Sequence, residues 1–324
     1  MENRRPVVGE FYRHFKGNLY QILTIGKHSE TLEEMVVYQA LYGTFDIYIR
    51  PLKQFVDTVD MLKYPNATQK YRFEHVIVSS AQNAEQKGVG MFGKLANKDG
   101  FNKVVSDLDE VILKLKSDFP GKKVILLSHS FGSFVAQSYM EKFGEKINAS
   151  VLCGSTGPGT KRLSSGKFII GFVKLFRGGN FKSKTIDKLF FKDCLKKIPN
   201  PQFSKEWVCK NPDTLMMYQN DSWCGGIPTL SFFSDVIYGL KNIHKTSNMK
   251  KIPQELPIFM IGGTEDPIGN YGESLKLLKN IYNQNGIKTV DLKLYDDCRH
   301  ELFNEKNSDE VINDVVTWIQ TNVK

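Results

Sequence analysis

The chain has 324 residues, 41% hydrophobic and 24% charged, a composition suited to one large globular domain or two modest ones and not to wholesale disorder. Membrane-spanning, secreted, zinc and disulfide classes are disfavoured: no apolar run approaches roughly 20 residues, residues 1–5 do not begin a signal peptide, and the five cysteines are widely spaced without a CxxC pair, so a reducing cytoplasm fits best. The formal net charge of +9 comes from one segment, since residues 160–197 hold eleven basic and two acidic side chains and the remainder is formally neutral.

Residues 7–78 read as a small all-β domain, barrel-like or a sheet. Runs rich in Ile, Val and Tyr at 19–25, 34–42 and 45–50 predict strands, with Gly17-Asn18, residues 28–31 and Gly43-Thr44 as turns. The segment Val8-Gly9-Glu10-Phe11-Tyr12-Arg13-His14-Phe15-Lys16-Gly17, together with residues 37–43 and 50–52, resembles a small bacterial domain family of unknown function over most of residues 6–74. That resemblance marks a domain, placed here at 1–78, and implies no activity. Residues 79–90 read as a junction.

Beyond the junction the hydrophobic period changes. Val104, Val105, Leu108, Val111, Ile112 and Leu115 fall at helical spacing over 101–119, and Pro120-Gly121 ends the helix. The continuous apolar run 124–127 predicts a buried parallel strand, followed by a helix from Phe131. Further strands are expected at 147–152, 257–261 and 290–295, separated by helical stretches, which is the alternation of an α/β domain with a mainly parallel sheet.

Ser128-His129-Ser130-Phe131-Gly132 lies where the 124–127 strand meets its helix. A nucleophile elbow turns so sharply that the residues two before and two after its serine must be small. Gly132 meets that demand, and Ser128 stands in the position usually held by glycine. Ser130 is thus the candidate nucleophile, and His129 a support for the turn. A serine hydroxyl needs a histidine to take its proton and a carboxylate to orient that histidine. Asp266 follows the 257–261 strand and His300 follows the 290–295 strand, so both belong to loops at strand carboxyl ends, which share one face of a parallel sheet. The chain order Ser130, Asp266, His300 is that of α/β hydrolases. Asp296, Asp297 and Glu265 are weaker candidates for the acid. His14, His28, His75 and His244 read as structural or surface residues.

Several landmarks agree beyond the elbow: Gly90-Met91-Phe92-Gly93 with Lys98-Asp99-Gly100-Phe101, Asp221-Ser222-Trp223-Cys224-Gly225, Phe232-Phe233-Ser234-Asp235, residues 262–267, and Arg299-His300-Glu301 with Asn304-Glu305. On these, residues 91–324 resemble the later part of an α/β hydrolase of the monoacylglycerol lipase and lysophospholipase type, also called serine aminopeptidase-like. The resemblance implies hydrolysis of an acyl glycerol or lysophospholipid ester through an acyl-serine intermediate, without metal or organic cofactor, beneath a helical lid at about 157–253. Peptide hydrolysis has no specifying feature here.

The family's first strands and its His-Gly oxyanion loop are expected to be missing, since the chain has no His-Gly dipeptide and a β domain occupies their place. The Phe131 backbone N–H is the one oxyanion donor the sequence supplies, and loss of a donor costs about 100-fold to 1,000-fold in rate. The 124–127 strand should then carry an open edge, covered by residues 74–79, with alternating Val76 and Val78, or by a partner chain. In the basic segment, Phe168, Ile169, Phe172, Val173, Leu175 and Phe176 form one helical face and Lys167, Lys174 and Arg177 the other, which suits peripheral contact with an anionic membrane through residues 160–197. The spacing is amphipathic and no nucleic-acid module is present. Two readings follow: a serine esterase, and a non-catalytic lipid-binding or interaction protein derived from a truncated hydrolase.

Overall fold

The computed structural model describes residues 5–41, 46–65, 67, 69–76, 93–159, 161–220 and 224–323, the side chains of 161–168 and 220 excepted. The expected junction and the residues 90–92 and 221–223 lie outside them. The chain divides into two units, residues 1–91 and 92–324.

The first unit is an antiparallel sheet. Its strands are β1 (Phe11–His14), β2 (Leu19–Lys27), β3 (Glu34–Ala40), β4 (Ile47–Pro51) and β5 (Phe73–Val76), in the order β4-β3-β2-β1-β5. Alternation on β2 and β3 turns Tyr20, Ile22, Val36, Tyr38 and Ala40 to one buried face. Phe55, from the short Leu52–Phe55 helix, and Phe73 complete that core, their rings stacked 4.3 Å apart. This packing explains a departure from expectation. β5 belongs to the first unit's sheet and not to that of the 124–127 strand: it pairs antiparallel with β1, Phe11 opposite Val76 and His14 opposite Phe73, because that register buries Phe73 against Phe55, Tyr20 and Tyr38. Residues 77–79 lie outside the description. The sheet is open among the described residues, with β4 at one edge and β5 at the other.

The second unit carries four parallel strands in sequential order: β6 (Ile125–His129), β7 (Ala149–Cys153), β8 (Ile258–Gly263) and β9 (Val290–Tyr295). β7 and β8 are buried throughout, as strands covered on both faces must be. Their period of two divides the core. Leu152, Ile258 and Met260 pack with Phe101, Val105, Tyr139 and Tyr282 on one side. Val151, Phe259 and Ile261 pack with Val311, Val315 and Trp318 of the Ser308–Asn322 helix on the other. Trp318 stacks on Phe259 at 5.1 Å and donates its indole N–H to Asp291 at 2.7 Å.

β6 ends this sheet. Among the described residues its outer edge has no strand partner, and Leu127 is 50% exposed. The Leu230–Ile243 helix sends Val236, Leu240 and Ile243 into the main core beside Phe101 and Phe134. The Lys161–Arg177 helix buries Ile170, yet Phe172, Leu175 and Phe176 are 59%, 79% and 70% exposed. No helix among the described residues is long and apolar enough to cross a membrane.

Candidate active site

The turn from β6 into the Phe131–Phe143 helix places Ser130 at φ +50° and ψ −121°, a strained backbone for a residue with a Cβ. Its surroundings over-determine it. Ser130 N–H donates to the Cys153 carbonyl at 3.0 Å, and the Ser130 carbonyl accepts from Ser133 N–H at 2.9 Å and from the Ser133 hydroxyl at 2.6 Å. Ser133 Oγ also lies 2.7 Å from Ser155 Oγ, from which it accepts, and Ser128, itself buried, donates to the Val151 carbonyl at 3.0 Å. Strain of this kind, about 1–3 kcal/mol, persists where a framework holds it and marks functional turns. One expectation fails here. A Cβ added at Gly132 meets nothing within 4 Å among the described residues, so crowding by them does not impose that glycine.

His300 and Asp266 meet at the carboxyl ends of β8 and β9. Their Nδ1 and Oδ2 are 3.0 Å apart, and both residues are almost fully buried. Asp266 is itself fixed, since Oδ1 accepts the Ile268 N–H at 2.8 Å and its carbonyl accepts the Tyr271 N–H at 2.7 Å. With the carboxylate accepting, Nδ1 carries the proton and Nε2 is left as the basic nitrogen. Among the described residues His300 Nε2 has no hydrogen-bond partner, so Ser130 Oγ is not bonded to it in this conformation. The other three carboxylate candidates are not brought to His300. Glu265 and Asp297 both pair with Lys210, and Asp296 is exposed.

Two glycines make the pairing possible, Gly154, which sequence reasoning passed over, and Gly263, which it held only as part of the 262–267 landmark. Gly154, at φ +56° just after β7, lies against His300, where a Cβ would sit 3.0 Å from Nδ1 and Cε1. At Gly263, ending β8, a Cβ would come within 2.1 Å of the Cys298 carbonyl oxygen. The backbone of the histidine loop therefore closes directly onto the strand ends. His129 holds the same loop: its Nε2 lies 3.2 Å from the His300 carbonyl, its ring 4.7 Å from the His300 ring, and burial followed by the neighbouring imidazole holds its pKa below the ordinary value. A neutral imidazole donating to that carbonyl fits the supporting role.

The segment 206–210 also closes on this loop. Glu301 N–H donates to the Val208 carbonyl at 2.7 Å, and the Arg299 guanidinium donates to the carbonyls of Glu206 and Cys209 at 2.6 and 3.2 Å. Buried Glu305 accepts the backbone N–H groups of Lys210 and Arg299. Trp207, held by this strap, puts its ring 5.2 Å from that of His300. Two grooves of about 540 and 520 Å³ flank Lys210 and Arg299, one edged by Phe203, Leu215 and Met216, the other by Ile198 and Tyr271; neither is lined by Ser130 or His300. No group of His, Cys, Asp and Glu among the described residues could hold a metal ion. The Cys153 thiol at the end of β7 is pushed up to about 12, chiefly by burial, and has no thiolate chemistry near neutrality.

Comparison with known proteins places this geometry in context. Residues 10–75 match the model of a protein family of unknown function, DUF1653. A monoacylglycerol lipase of Mycolicibacterium smegmatis is 20% identical over 259 residues, covering 79% of this chain and 82% of that one. Among solved structures, a thermostable carboxyl esterase from Bacillus coagulans aligns with a TM-score of 0.67 at 19% identity, over 94% of this chain and 99% of the esterase. The monoglyceride lipase of Saccharomyces cerevisiae aligns at 0.55 and 14% identity, over 100% and 98%. These likenesses establish the fold. Membership comes from the family model described as serine aminopeptidase, S33, which matches residues 83–307, more than half the chain. This protein belongs to that family and is a hydrolase of the α/β-hydrolase fold.

Proposed function

We propose that this hydrolase cleaves carboxylic esters of acyl glycerols or lysophospholipids, with Ser130 as nucleophile, His300 as base and then acid, and Asp266 as the group that orients His300. The observation that carries the reading is the buried His300–Asp266 pair, 3.0 Å apart, whose histidine is contacted by His129, the residue before a serine strained to φ +50° between strand and helix. In the first step Ser130 Oγ bonds to the ester carbon as its proton passes to His300 Nε2, and the carbonyl pair moves onto oxygen. The Phe131 N–H, at the head of a 13-residue helix, donates to that oxyanion in this reading. Collapse expels the alcohol oxygen, which takes the proton from Nε2 and leaves an acyl-serine. Water, deprotonated by the same nitrogen, then releases the acid and restores Ser130. The acyl glycerol or lysophospholipid class is supported by the monoacylglycerol lipase relative.

A fluorophosphonate probe tests the assignment. The wild type is expected to label covalently, and Ser130→Ala and His300→Ala to lose the label. Folded wild type that does not label contradicts it and favours the non-catalytic lipid-binding reading.

A second reading concerns partners. The outward Phe172, Leu175 and Phe176 lie within the segment that holds the whole excess charge. That combination supports peripheral docking of residues 160–197 on an anionic lipid surface, the apolar side chains entering the acyl boundary and the lysines meeting head groups.

A further inference from the structure

Trp207 is 6% exposed, and its indole Nε1 has no hydrogen-bond partner among the described residues. An unpaired buried donor is costly, and a buried tryptophan N–H ordinarily finds an acceptor. Elsewhere in this unit that rule holds, as Trp318 donates to Asp291. The ring packed against Trp207 belongs to His300, whose Nε2 is also buried and unpartnered. Two orphan nitrogens thus sit on neighbouring rings whose centroids are 5.2 Å apart.

We propose that the Trp207 indole N–H is a specificity donor that binds an oxygen carried by the ester's leaving alcohol. The inference rests on the reading of Ser130, His300 and Asp266 as the reacting groups. When the tetrahedral intermediate collapses, His300 Nε2 must hand its proton to the leaving oxygen across hydrogen-bond distance. The alcohol portion therefore lies against the Nε2 side of His300, and of the two rings packed on that imidazole, His129 is engaged with the His300 carbonyl while Trp207 has its donor unpaired. One ligand accounts for both orphan nitrogens: its ester oxygen meets Nε2, and a further oxygen on the same alcohol accepts from Nε1.

The indole is built in. It stacks on Phe191 at 5.7 Å, and the hydrogen bonds from Arg299 and Glu301 to residues 206, 208 and 209 tie its segment to the loop that carries His300. Tryptophan and catalytic histidine are consequently held in one geometry. A glycerol hydroxyl and a glycerophosphoryl oxygen are equally suitable acceptors; the alcohol of a methyl ester has none.

Three esters of one fatty acid test this: the methyl ester, the glycerol monoester and the lysophospholipid. The wild type is expected to favour at least one oxygen-bearing alcohol over methyl by roughly tenfold in kcat/KM, the value of one buried hydrogen bond with its unpaired-donor penalty. Trp207→Phe, which keeps an aromatic ring and removes the donor, should erase that preference, the ratio of kcat/KM for the favoured ester to that for the methyl ester falling roughly tenfold; which ester's ratio falls distinguishes hydroxyl from phosphoryl recognition. A preference retained by Trp207→Phe, or an equal fall on all three esters, overturns the proposal. Equal wild-type rates on all three overturn it without any variant, should Trp207→Phe fail to fold. Fluorophosphonate labelling separates the two levels: unlabelled wild type refutes the Ser130 assignment, whereas labelled wild type and Trp207→Phe with unchanged ester preference refute Trp207 alone.

Discussion

Gly154 shows how much of a catalytic arrangement can depend on an atom that is absent. Its φ of +56° is unfavourable for other residues, and its missing Cβ is what leaves room for the His300 imidazole. Gly154→Ala should cost about 1–2 kcal/mol in backbone strain and displace the imidazole from Asp266. Probe labelling should slow more than the fall in unfolding midpoint explains. Glu141 supplies a test of a different kind. It is buried on the Phe131–Phe143 helix with one carboxyl oxygen unpartnered, and burial pushes its pKa up to about 8, opposed by Lys142 and Lys251. The folded value stands above the unfolded one of about 4.3, so its protonated form favours folding and that contribution is lost as pH rises toward and through 8. Glu141→Gln should flatten the decline in stability between pH 5 and 9, measured by urea unfolding. A variant that tracks the wild type across that range contradicts the assignment.

At the scale of elements, the strap 206–210 and the loop 297–305 behave as one piece. Glu305 accepts two backbone N–H groups, one from each side, and is buried while doing so. Glu305→Ala should leave those donors unpaired and destabilise the protein by about 1–3 kcal/mol, with a loss of labelling, because the bond that positions His300 and Trp207 together is gone. None of this was legible in the sequence. Strand and helix periods announce β6, the helix after it and Val290–Tyr295 directly, and strand-end logic brings Asp266 and His300 to one place. Trp207, Gly154 and Glu305 owe their importance to contacts between segments roughly 90 to 150 residues apart in the chain, for which no local pattern exists. The same limit explains β5: Val76 alternates as any strand residue would, and only the aromatic core of the first sheet decides that its partner is β1.

At the scale of the molecule, charge and apolar surface coincide in one place. The excess of nine positive charges falls between residues 160 and 197, and the same stretch exposes Phe172, Leu175 and Phe176. If that surface docks on lipid, sedimentation with anionic vesicles should weaken as ionic strength rises, and Leu175→Asp with Phe176→Asp should reduce binding at every salt concentration while labelling by a soluble probe persists. Binding that is indifferent to salt and to both substitutions contradicts the docking reading.

The central claim is that Ser130 is activated by a histidine–carboxylate pair in a sheet whose first strand, β6, has no partner on its outer edge among the described residues. Covalent labelling of the full-length protein by a fluorophosphonate tests it most directly. The account predicts one probe per chain on Ser130, abolished in Ser130→Ala and in His300→Ala; a folded wild-type protein that takes up no probe, or one labelled equally after either substitution, would contradict it.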